Sequence, residues 1–487
     1  MTEAVAARKT GIWTKLAYGS GAAANGIKNN GFEYFLLFYY SQVLGVDATL
    51  VGLTLMIAMF VDGITDPIVG YWSDNLKTRL GRRHPFMYAA ILPVAVAYVF
   101  AWNPPENLTG NALFPYLLAI TIAVRVAYTF YEVPSSALVA ELTDDYDERT
   151  SYLSFRYVFG WTGGVAIAAY TLTFLLVETE TYGNGFLNVE GYRSYGNIAA
   201  IAIIISMLLC AVGTHRQIPN LRTPPEIGQI TLGRVFREIG ESLSNKSFQG
   251  LFLAALFGFM AAGVAASLNY YINGYYWEFT STQTGYLTLS VFLSAAIALV
   301  LAPLVSKKLG KKRGAIIIGA IAFSVAPMPV LLRLLGLMPP NGSDLLFQVI
   351  LTVTVIDVAL IIAYQIMSAS MIADIVEENE LKTGRRSEGI YFAGISFMRK
   401  MARGTGLFLA SFVLAAAELS RNVQPGDVPA STLTMLGAGY ALGLLALWGT
   451  AIAFLFRYQI SREDHEANLA ALKRSREAES VVDKGAE

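Results

Sequence analysis

Charged residues are scarce in this chain. Asp, Glu, Lys and Arg make up only 15% of its 487 residues, whereas hydrophobic residues make up 54% and the mean hydropathy is +0.48. Soluble globular domains contain about 25% charged residues, so this composition excludes an ordinary water-soluble protein. The formal net charge is zero, and the overall charge therefore gives no reason to expect a nucleic-acid partner.

Cysteine and histidine are also rare. Cys210 is the single cysteine, which excludes a disulfide within the chain and a cysteine metal cluster. The histidines at 84, 215 and 465 are far apart in sequence, whereas metal sites need clustered ligands. A nucleophile–base grouping, a zinc pair or a phosphate-binding glycine loop does not stand out either. We therefore expect neither an enzyme nor an organic cofactor.

Long apolar runs are what the sequence has in place of these features. A helix of about twenty apolar residues crosses a hydrocarbon core of roughly 30 Å, and continuous apolarity without alternation excludes a barrel strand. The sequence predicts an all-α polytopic membrane protein with twelve spans. These lie near residues 16–44, 50–72, 86–102, 113–138, 153–177, 197–214, 248–272, 283–305, 314–335, 346–372, 390–416 and 434–457.

Basic residues fall on alternate loops between these runs. Loops 41–50, 103–112 and 273–282 contain no Lys or Arg. The positive-inside rule then places both termini in the cytoplasm, and we expect a multi-pass protein of a bacterial inner membrane. The basic loops contain Lys77, Arg79, Arg82 and Arg83 after run two, and Lys307, Lys308, Lys311, Lys312 and Arg313 after run eight.

The chain resembles itself at a long offset. Residues 79–84, Arg-Leu-Gly-Arg-Arg-His, reappear as Lys-Leu-Gly-Lys-Lys-Arg at 308–313, and the acidic stretch from Glu141 matches that from Asp374. Two six-helix bundles around a central cavity, as in the major facilitator fold, would produce this pattern. We predict bundles at 1–214 and 247–460, a cytoplasmic linker at 215–246 and a cytoplasmic tail at 461–487.

Two carboxylates lie inside the second run. Asp62 and Asp66 are four residues apart, so they share one helical face, and ionisable groups in hydrocarbon are functional candidates. A hard cation such as Na⁺ would remove both their repulsion and their desolvation cost. The alternative is that one Asp pairs with an Arg or Lys of another helix and stabilises the bundle.

Other intramembrane polar residues are candidates for binding a solute. Run four carries a stripe at three- and four-residue spacing, which we expect to face the central cavity. Simple charge pairing without contact to a solute is the alternative for each of these residues. The candidates are Arg125, Tyr128, Thr129 and Glu132 in run four, Asn25 in run one, Arg156 in run five, and Lys400 in run eleven, with Asp357, Arg399 and Arg403 completing the set.

Two further patterns concern the helix ends. Asp74 faces Arg79, Arg82 and Arg83 at the cytoplasmic side, where the charges form either a gate or a plain helix-end salt bridge. The aromatic clusters at 39–40, 270–271 and 275–277 lie near predicted outer ends, for which an aromatic belt is the ordinary explanation.

Several of these stretches resemble motifs of the glycoside-pentoside-hexuronide:cation symporter family of the major facilitator superfamily. They are Lys-Leu-Ala-Tyr-Gly-Ser-Gly at 15–21, Asp-Gly-Ile-Thr-Asp-Pro-Ile-Val-Gly at 62–70, Tyr-Thr-Phe-Tyr-Glu-Val-Pro at 128–134, and the stretch from 388 to 400. The resemblance covers nearly the whole chain. It implies cation-coupled symport by alternating access.

The resemblance also implies a cation site. Asp62 and Asp66 would be sodium ligands, and Thr129 would add a hydroxyl. Thr65 stands where the family's melibiose permease has an asparagine ligand, so both Na⁺ and H⁺ stay open as the coupling ion. We expect Na⁺ to be the only non-protein component that the chain needs, with H⁺ as its alternative.

The solute-binding pattern of the family is only partly present. Glu132 keeps an acid where a sugar-binding Asp stands, and Arg156 and Lys400 fall on family positions, but Gly26 replaces another sugar-binding Asp and Ser136 replaces a Trp. The lipid branch of the family, the sodium-dependent lysophosphatidylcholine symporters, shares the motifs.

We therefore favour a lysophospholipid-like amphiphile as the substrate. In that reading the charged residues Glu132, Arg156 and Lys400 bind the headgroup. A sugar or glycoside is the alternative substrate, and a passive scramblase or channel is a remoter one. Besides the solute, the only partner that we expect is the lipid bilayer, with the chain as a monomer.

Overall fold

The computed structural model describes residues 11–143, 145–221, 246–383, 388–459 and 471, and within them the regular structure is entirely helical. The α-helices are α1 Ile12–Ser20, α2 Ala22–Asn30, α3 Leu36–Phe38, α4 Ala48–Asn75, α5 His84–Trp102, α6 Phe114–Ala137, α7 Val139–Leu142, α8 Tyr146–Tyr170, α9 Val189–His215, α10 Lys246–Tyr271, α11 Ser281–Leu309, α12 Lys311–Val325, α13 Met328–Leu334, α14 Asp344–Thr383, α15 Glu388–Ala416 and α16 Ala430–Leu455. Four π-helical turns extend them at Gly31–Phe35, Tyr39–Val43, Thr171–Leu175 and Ile272–Tyr276.

Each of the twelve predicted runs falls mainly on helical residues, and run nine is divided between α12 and α13. Ten helical stretches of the described chain are long and apolar enough to cross a membrane. The first run departs from this rule because it is divided into α1, α2, α3 and two π-helical turns and contains several polar residues. Run eleven, in α15, contains the basic residues Arg399, Lys400 and Arg403.

Side-chain caps mark where several helices begin. The Asp47 carboxylate accepts a hydrogen bond from the Thr49 backbone N–H at 2.8 Å, and α4 follows. Asp145 accepts from the Glu148 N–H at 2.7 Å at the start of α8. Asn188 accepts from the Gly191 N–H at 3.1 Å and starts α9. Each cap satisfies a backbone donor that the first helical turn leaves without a partner.

The chain forms two compact units. The first consists of residues 1–230, 263–289 and 403–439. Within it α4 and α5 both pack on α6, α5 packs on α9, and α2 packs on α8. Segments 263–289 and 403–439 come from the second half of the sequence, and they pack on the first half through the Tyr271–Ser41 contact at 2.5 Å and the Tyr275–Gln42 contact at 3.1 Å.

An aromatic core occupies the first unit where these segments meet. Tyr39, Tyr40, Trp102, Tyr192 and Tyr195 are all fully buried. The Tyr39 and Tyr192 rings lie 4.6 Å apart, and the Tyr40 hydroxyl donates to the Ala101 carbonyl at 2.8 Å. The aromatic belt expected at 39–40, 270–271 and 275–277 is therefore wrong, because these aromatic side chains are at most 3% exposed and face protein instead of lipid.

The second unit consists of the described residues within 231–262, 290–402 and 440–487. There α12 packs on α14, and the Phe323 ring lies 5.3 Å from Tyr364 and 4.7 Å from Trp448. The predicted bundles at 1–214 and 247–460 stay a prediction. Most of the predicted linker (222–245) and all of the predicted tail except residue 471 lie outside the described residues.

The internal repeat has a structural counterpart in each unit. Gly81 and Gly310, which match in the repeat, have φ of 72° and 76°, a region that favours glycine. In the first unit Arg82 and Arg83 bind Glu141 at 2.9 and 2.8 Å, and in the second Lys311 binds Asp374 at 2.6 Å. The matched basic loops therefore make matched contacts with the matched acids.

Candidate cation and solute sites

Two adjacent helices of the first unit hold the residues of the predicted cation site. Asp62 of α4 is 4% exposed. Its Oδ1 accepts a hydrogen bond from the Thr129 hydroxyl of α6 at 3.0 Å, and the Thr65 hydroxyl lies 3.5 Å from that of Thr129. The structure therefore brings Asp62, Thr65 and Thr129 together within a few ångströms.

Asp66 follows Asp62 by one helical turn and is half-buried. Pro67 lies inside α4 and has no N–H, so the Gly63 carbonyl loses its helical donor. Carboxylate, hydroxyl and carbonyl oxygens are the ligands that a hard cation accepts. The donor set at this place therefore fits Na⁺. This donor set differs from a transition-metal site, because no group of three or more His, Cys, Asp or Glu side chains converges in the described part of the chain.

Arg125 also lies at the cation site. It is 1% exposed, and its Nη1 donates to Asp62 Oδ2 at 3.3 Å. The guanidinium also lies over the Phe32 ring at 5.5 Å. Asp62 thus pairs with an arginine from another helix. This pairing is the alternative to cation binding that the sequence leaves open. Arg125, a predicted solute ligand, contacts the cation-site carboxylate in this structure, and its role in binding solute stays a prediction.

A second cluster lies one helical turn further along α6. The Arg156 Nη2 of α8 donates to Glu132 Oε1 at 2.8 Å, and the Tyr128 hydroxyl donates to Glu132 Oε2 at 3.0 Å. Lys28 of α2 lies over the Tyr128 ring at 4.1 Å, and the Arg156 guanidinium lies 5.7 Å from the Tyr18 ring. A half-buried carboxylate with cationic and hydroxyl groups can bind a charged or polyhydroxylated part of a solute.

The run-four stripe divides between these two clusters. Arg125 and Thr129 contact Asp62 of α4, whereas Tyr128 and Glu132 face α8. Arg125, Tyr128 and Thr129 are each 1% exposed, so these three are buried between helices of their own unit. Their common exposure to a central cavity stays a prediction.

Asn25 and Lys400 are two of the remaining candidates. The Asn25 Oδ1 accepts from the Asn29 amide at 3.1 Å on the half-buried side of α2. Lys400 is half-buried in α15 and belongs to the second unit. Asp357 and Arg399 also lie in the second unit, whereas Arg403 and the other predicted solute ligands lie in the first.

The position of Gly26 is closed by close helix packing. A Cβ placed there would meet the Gly160 carbonyl oxygen of α8, and would lie 2.8 Å from the Gly164 backbone nitrogen. Real Cβ atoms do not approach that closely. A side-chain acid at this position would therefore require α2 and α8 to move apart.

The charges at the end of α4 form a network. Arg83 is 5% exposed and contacts Asp74, Glu141 at 2.8 Å and the Ser73 hydroxyl at 2.6 Å. Arg82 donates to Glu141 at 2.9 Å and to the Asp74 carbonyl at 3.4 Å. Arg79 is exposed and makes no ion pair with the described residues. The network brings Asp74, Arg82 and Arg83 together, and it leaves Arg79 outside.

Sequence reasoning did not include Lys28, Tyr18 or Glu141 among the site residues. Lys28 was visible as a lysine inside a predicted span, and Glu141 as the acid that the repeat matches with Asp374. The signal for Tyr18 was its place in the stretch at 15–21. None of these signals showed which helix each side chain faces.

The chain matches a family model described as MFS/sugar transport protein over residues 17–462. It is similar to an uncharacterised symporter of Synechocystis, with 26% identity over 96% of this chain and 97% of that protein. It is similar to an isoprimeverose transporter of Lactiplantibacillus pentosus (24%, covering 88% and 84%) and to the sphingosine-1-phosphate transporter MFSD2B of Xenopus tropicalis (25%, covering 97% and 94%).

Among solved structures, the chain is similar to a bacterial homologue of the human lysosomal transporter Spinster. The TM-score is 0.63 with 14% identity, covering 95% of this chain and 97% of that one, a likeness that shows the fold alone. The predicted all-α polytopic membrane protein with a major facilitator fold is confirmed. Because the family model spans most of the sequence, the chain belongs to the MFS/sugar transport protein family and is a membrane transporter, not an enzyme.

Proposed function

We propose that this transporter is a symporter in which Na⁺ binds at Asp62, Asp66, Thr65 and Thr129 and a solute binds at the Glu132–Arg156 cluster. The observation that carries the proposal is the placement of both clusters on α6. Thr129 binds Asp62, and its neighbour Tyr128 binds Glu132. A cation that shifts α6 at Thr129 would therefore alter the solute cluster within one helical turn. H⁺ is the alternative coupling ion.

The substrate that we propose is a lysophospholipid-like amphiphile. Glu132, Arg156 and Lys28 supply charges of both signs for a headgroup. The closed packing at Gly26 supports this choice because it removes an acceptor that a sugar would use. Similarity to a transporter of sphingosine-1-phosphate, a phosphorylated lipid, agrees with it.

A sugar or glycoside is the second candidate substrate. The observation that favours it is the similarity to an isoprimeverose transporter together with the description of the matched family. Tyr128 and Glu132 would then bind sugar hydroxyls. We further propose that the chain acts as a monomer in a bacterial plasma membrane with both termini in the cytoplasm.

The test is a transient-current measurement on the purified chain, reconstituted on a solid-supported membrane. Lysophosphatidylcholine and isoprimeverose are each added with and without Na⁺, and Asp62→Asn serves as the inactive control. We expect a Na⁺-dependent current with the lysolipid, which Asp62→Asn abolishes. Such a current with isoprimeverose alone selects the sugar. A solute flux that no ion gradient can drive against concentration would identify a passive channel or scramblase.

A further inference from the structure

Arg125 is a buried cation with an incomplete set of acceptors. Its Nη1 has one acceptor, Asp62 Oδ2, at the long distance of 3.3 Å. Its Nε and Nη2 are also buried and have no hydrogen-bond partner among the described residues. A guanidinium has five N–H donors in a fixed planar arrangement, so most of the hydrogen-bonding capacity of Arg125 is unused here.

Arg156 of α8, which is half-buried, is bound differently. Arg156 donates to Glu132 Oε1 at 2.8 Å and to the Ser135 hydroxyl at 3.4 Å. Its partner Glu132 belongs to the solute cluster and is hydrogen-bonded to Tyr128. Arg125 is therefore the more weakly held of the two, although it is the more deeply buried.

Electrostatics explain why Arg125 stays at this place. A buried charge without a counter-charge is strongly unfavourable, and Asp62 supplies a negative charge beside it. A transported cation needs the same carboxylate. If Na⁺ or H⁺ neutralises Asp62, the electrostatic attraction between Asp62 and Arg125 disappears. The guanidinium and the cation therefore compete for the same negative charge.

We propose that Arg125 competes with the transported cation for Asp62. This inference rests on the proposed cation site and adds a residue that sets its affinity. Arg125 lowers the affinity, so that the cation leaves the two carboxylates during each cycle; binding must be weak enough for release. Cation binding in turn frees the guanidinium from Asp62, and α6 then relaxes at the turn next to the solute cluster.

The test is calorimetric titration of Na⁺ into the full-length chain in detergent without solute, at an ionic strength kept constant with choline chloride. An arginine beside a carboxylate disfavours the binding of a proton there by roughly 10-fold to 1,000-fold. The same positive charge also repels Na⁺. We expect Arg125→Gln to bind Na⁺ at least about 10-fold more tightly than the unaltered chain. Arg125→Lys, which keeps the charge, should bind Na⁺ like the unaltered chain.

Two controls separate this role from a structural one. Arg83→Gln removes a buried arginine outside both clusters, and Na⁺ affinity should not rise. In the Asp62→Asn background, Arg125→Gln should give no gain, because the competing carboxylate is absent. Arg125→Met, whose apolar side chain suits the Phe32 ring, replaces Arg125→Gln if that variant does not fold.

The outcomes distinguish this inference from the function on which it rests. Equal or weaker Na⁺ binding in folded Arg125→Gln, with normal Na⁺ binding in the unaltered chain, contradicts the competition alone. If H⁺ is the coupling ion, Arg125→Gln and Arg125→Lys should differ in the pH dependence of solute binding, and the same dependence in both folded variants contradicts the competition. Absence of any Na⁺ or pH effect in the unaltered chain contradicts the proposed function, and the inference with it.

Discussion

The hydroxyls of the neighbouring residues Tyr128 and Thr129 donate hydrogen bonds to two different carboxylates. Tyr128 binds Glu132 Oε2 at 3.0 Å and Thr129 binds Asp62 Oδ1 at 3.0 Å. One peptide unit of α6 thus joins the candidate solute cluster to the candidate cation site. A displacement of the Asp62 or Glu132 carboxylate would therefore act on the other cluster through helix α6, and not through a flexible loop.

Thr129 should contribute to cation affinity through its hydroxyl. A hydrogen bond to a charged group contributes about 1.5–3 kcal/mol, so Thr129→Val should raise the Na⁺ concentration for half-maximal uptake by about 10-fold or more. Thr129→Ser keeps the hydroxyl and is the control. The Na⁺ dependence of solute uptake into proteoliposomes measures both, and equal values for Val and Ser would exclude the hydroxyl as a ligand.

Glu132 should affect the solute and not the cation. Removing its charge leaves Arg156 without the acceptor that it binds at 2.8 Å and takes away the carboxylate that is proposed to bind the solute. Glu132→Gln should therefore abolish measurable solute binding in calorimetry while Na⁺ still raises the melting temperature. Loss of the Na⁺ effect together with solute binding would show that the two clusters are not separable.

Gly26 should be required for the packing of α2 on α8. Gly26→Ala places a methyl group against the Gly160 carbonyl, and overpacking of this kind costs about 1–3 kcal/mol. Gly258→Ala is the matched control, because its helical position in α10 has no heavy atom within 4 Å of an added Cβ. We expect a lower melting temperature for Gly26→Ala alone. Similar melting temperatures for the two variants would contradict the close contact.

Glu33 and Arg403 should stabilise the first unit. Their ion pair is 2.6 Å long, the Glu33 side chain is 6% exposed, and it joins the Gly31–Phe35 turn to α15. Glu33→Gln should lower the free energy of unfolding by a few kcal/mol. The exchanged pair Glu33→Arg with Arg403→Glu should recover part of that loss in a thermal melt. Equal loss in the single and exchanged variants would show that the pair contributes no specific attraction.

Much of the fold could be predicted from the sequence because membrane spans have a strong signal. Apolar runs predicted where each spanning helix lies, although α9 already begins at Val189, before run six, and α14 continues to Thr383, beyond run ten. The repeat correctly paired Glu141 with Asp374. The direction in which side chains face could not be predicted in the same way. A tyrosine near a helix end, such as Tyr39, faces lipid in one packing and protein in another, and only the neighbouring helices decide.

The sequence predicted which residues belong to the candidate site better than it predicted which residues each of them contacts. Asp62, Thr65 and Thr129 were grouped by motif resemblance, and they do meet. Arg125 was assigned to the solute because it shares a stripe with Glu132. Residues three or four positions apart on a helix still differ by tens of degrees in direction, which is enough for Arg125 to face α4 and for Glu132 to face α8.

The central claim is that one chain binds a cation and a solute with mutual reinforcement. The most direct test is calorimetric titration of Na⁺ into the unaltered chain with and without saturating lysophosphatidylcholine, and of the lysolipid with and without Na⁺. Linkage requires the two affinities to rise by the same factor, and coupling in proteins is typically 5-fold to 150-fold. We predict a common factor in that range, absent in Asp62→Asn. Affinities that do not depend on the other ligand, for the lysolipid and for isoprimeverose alike, would contradict cation-coupled symport through this site.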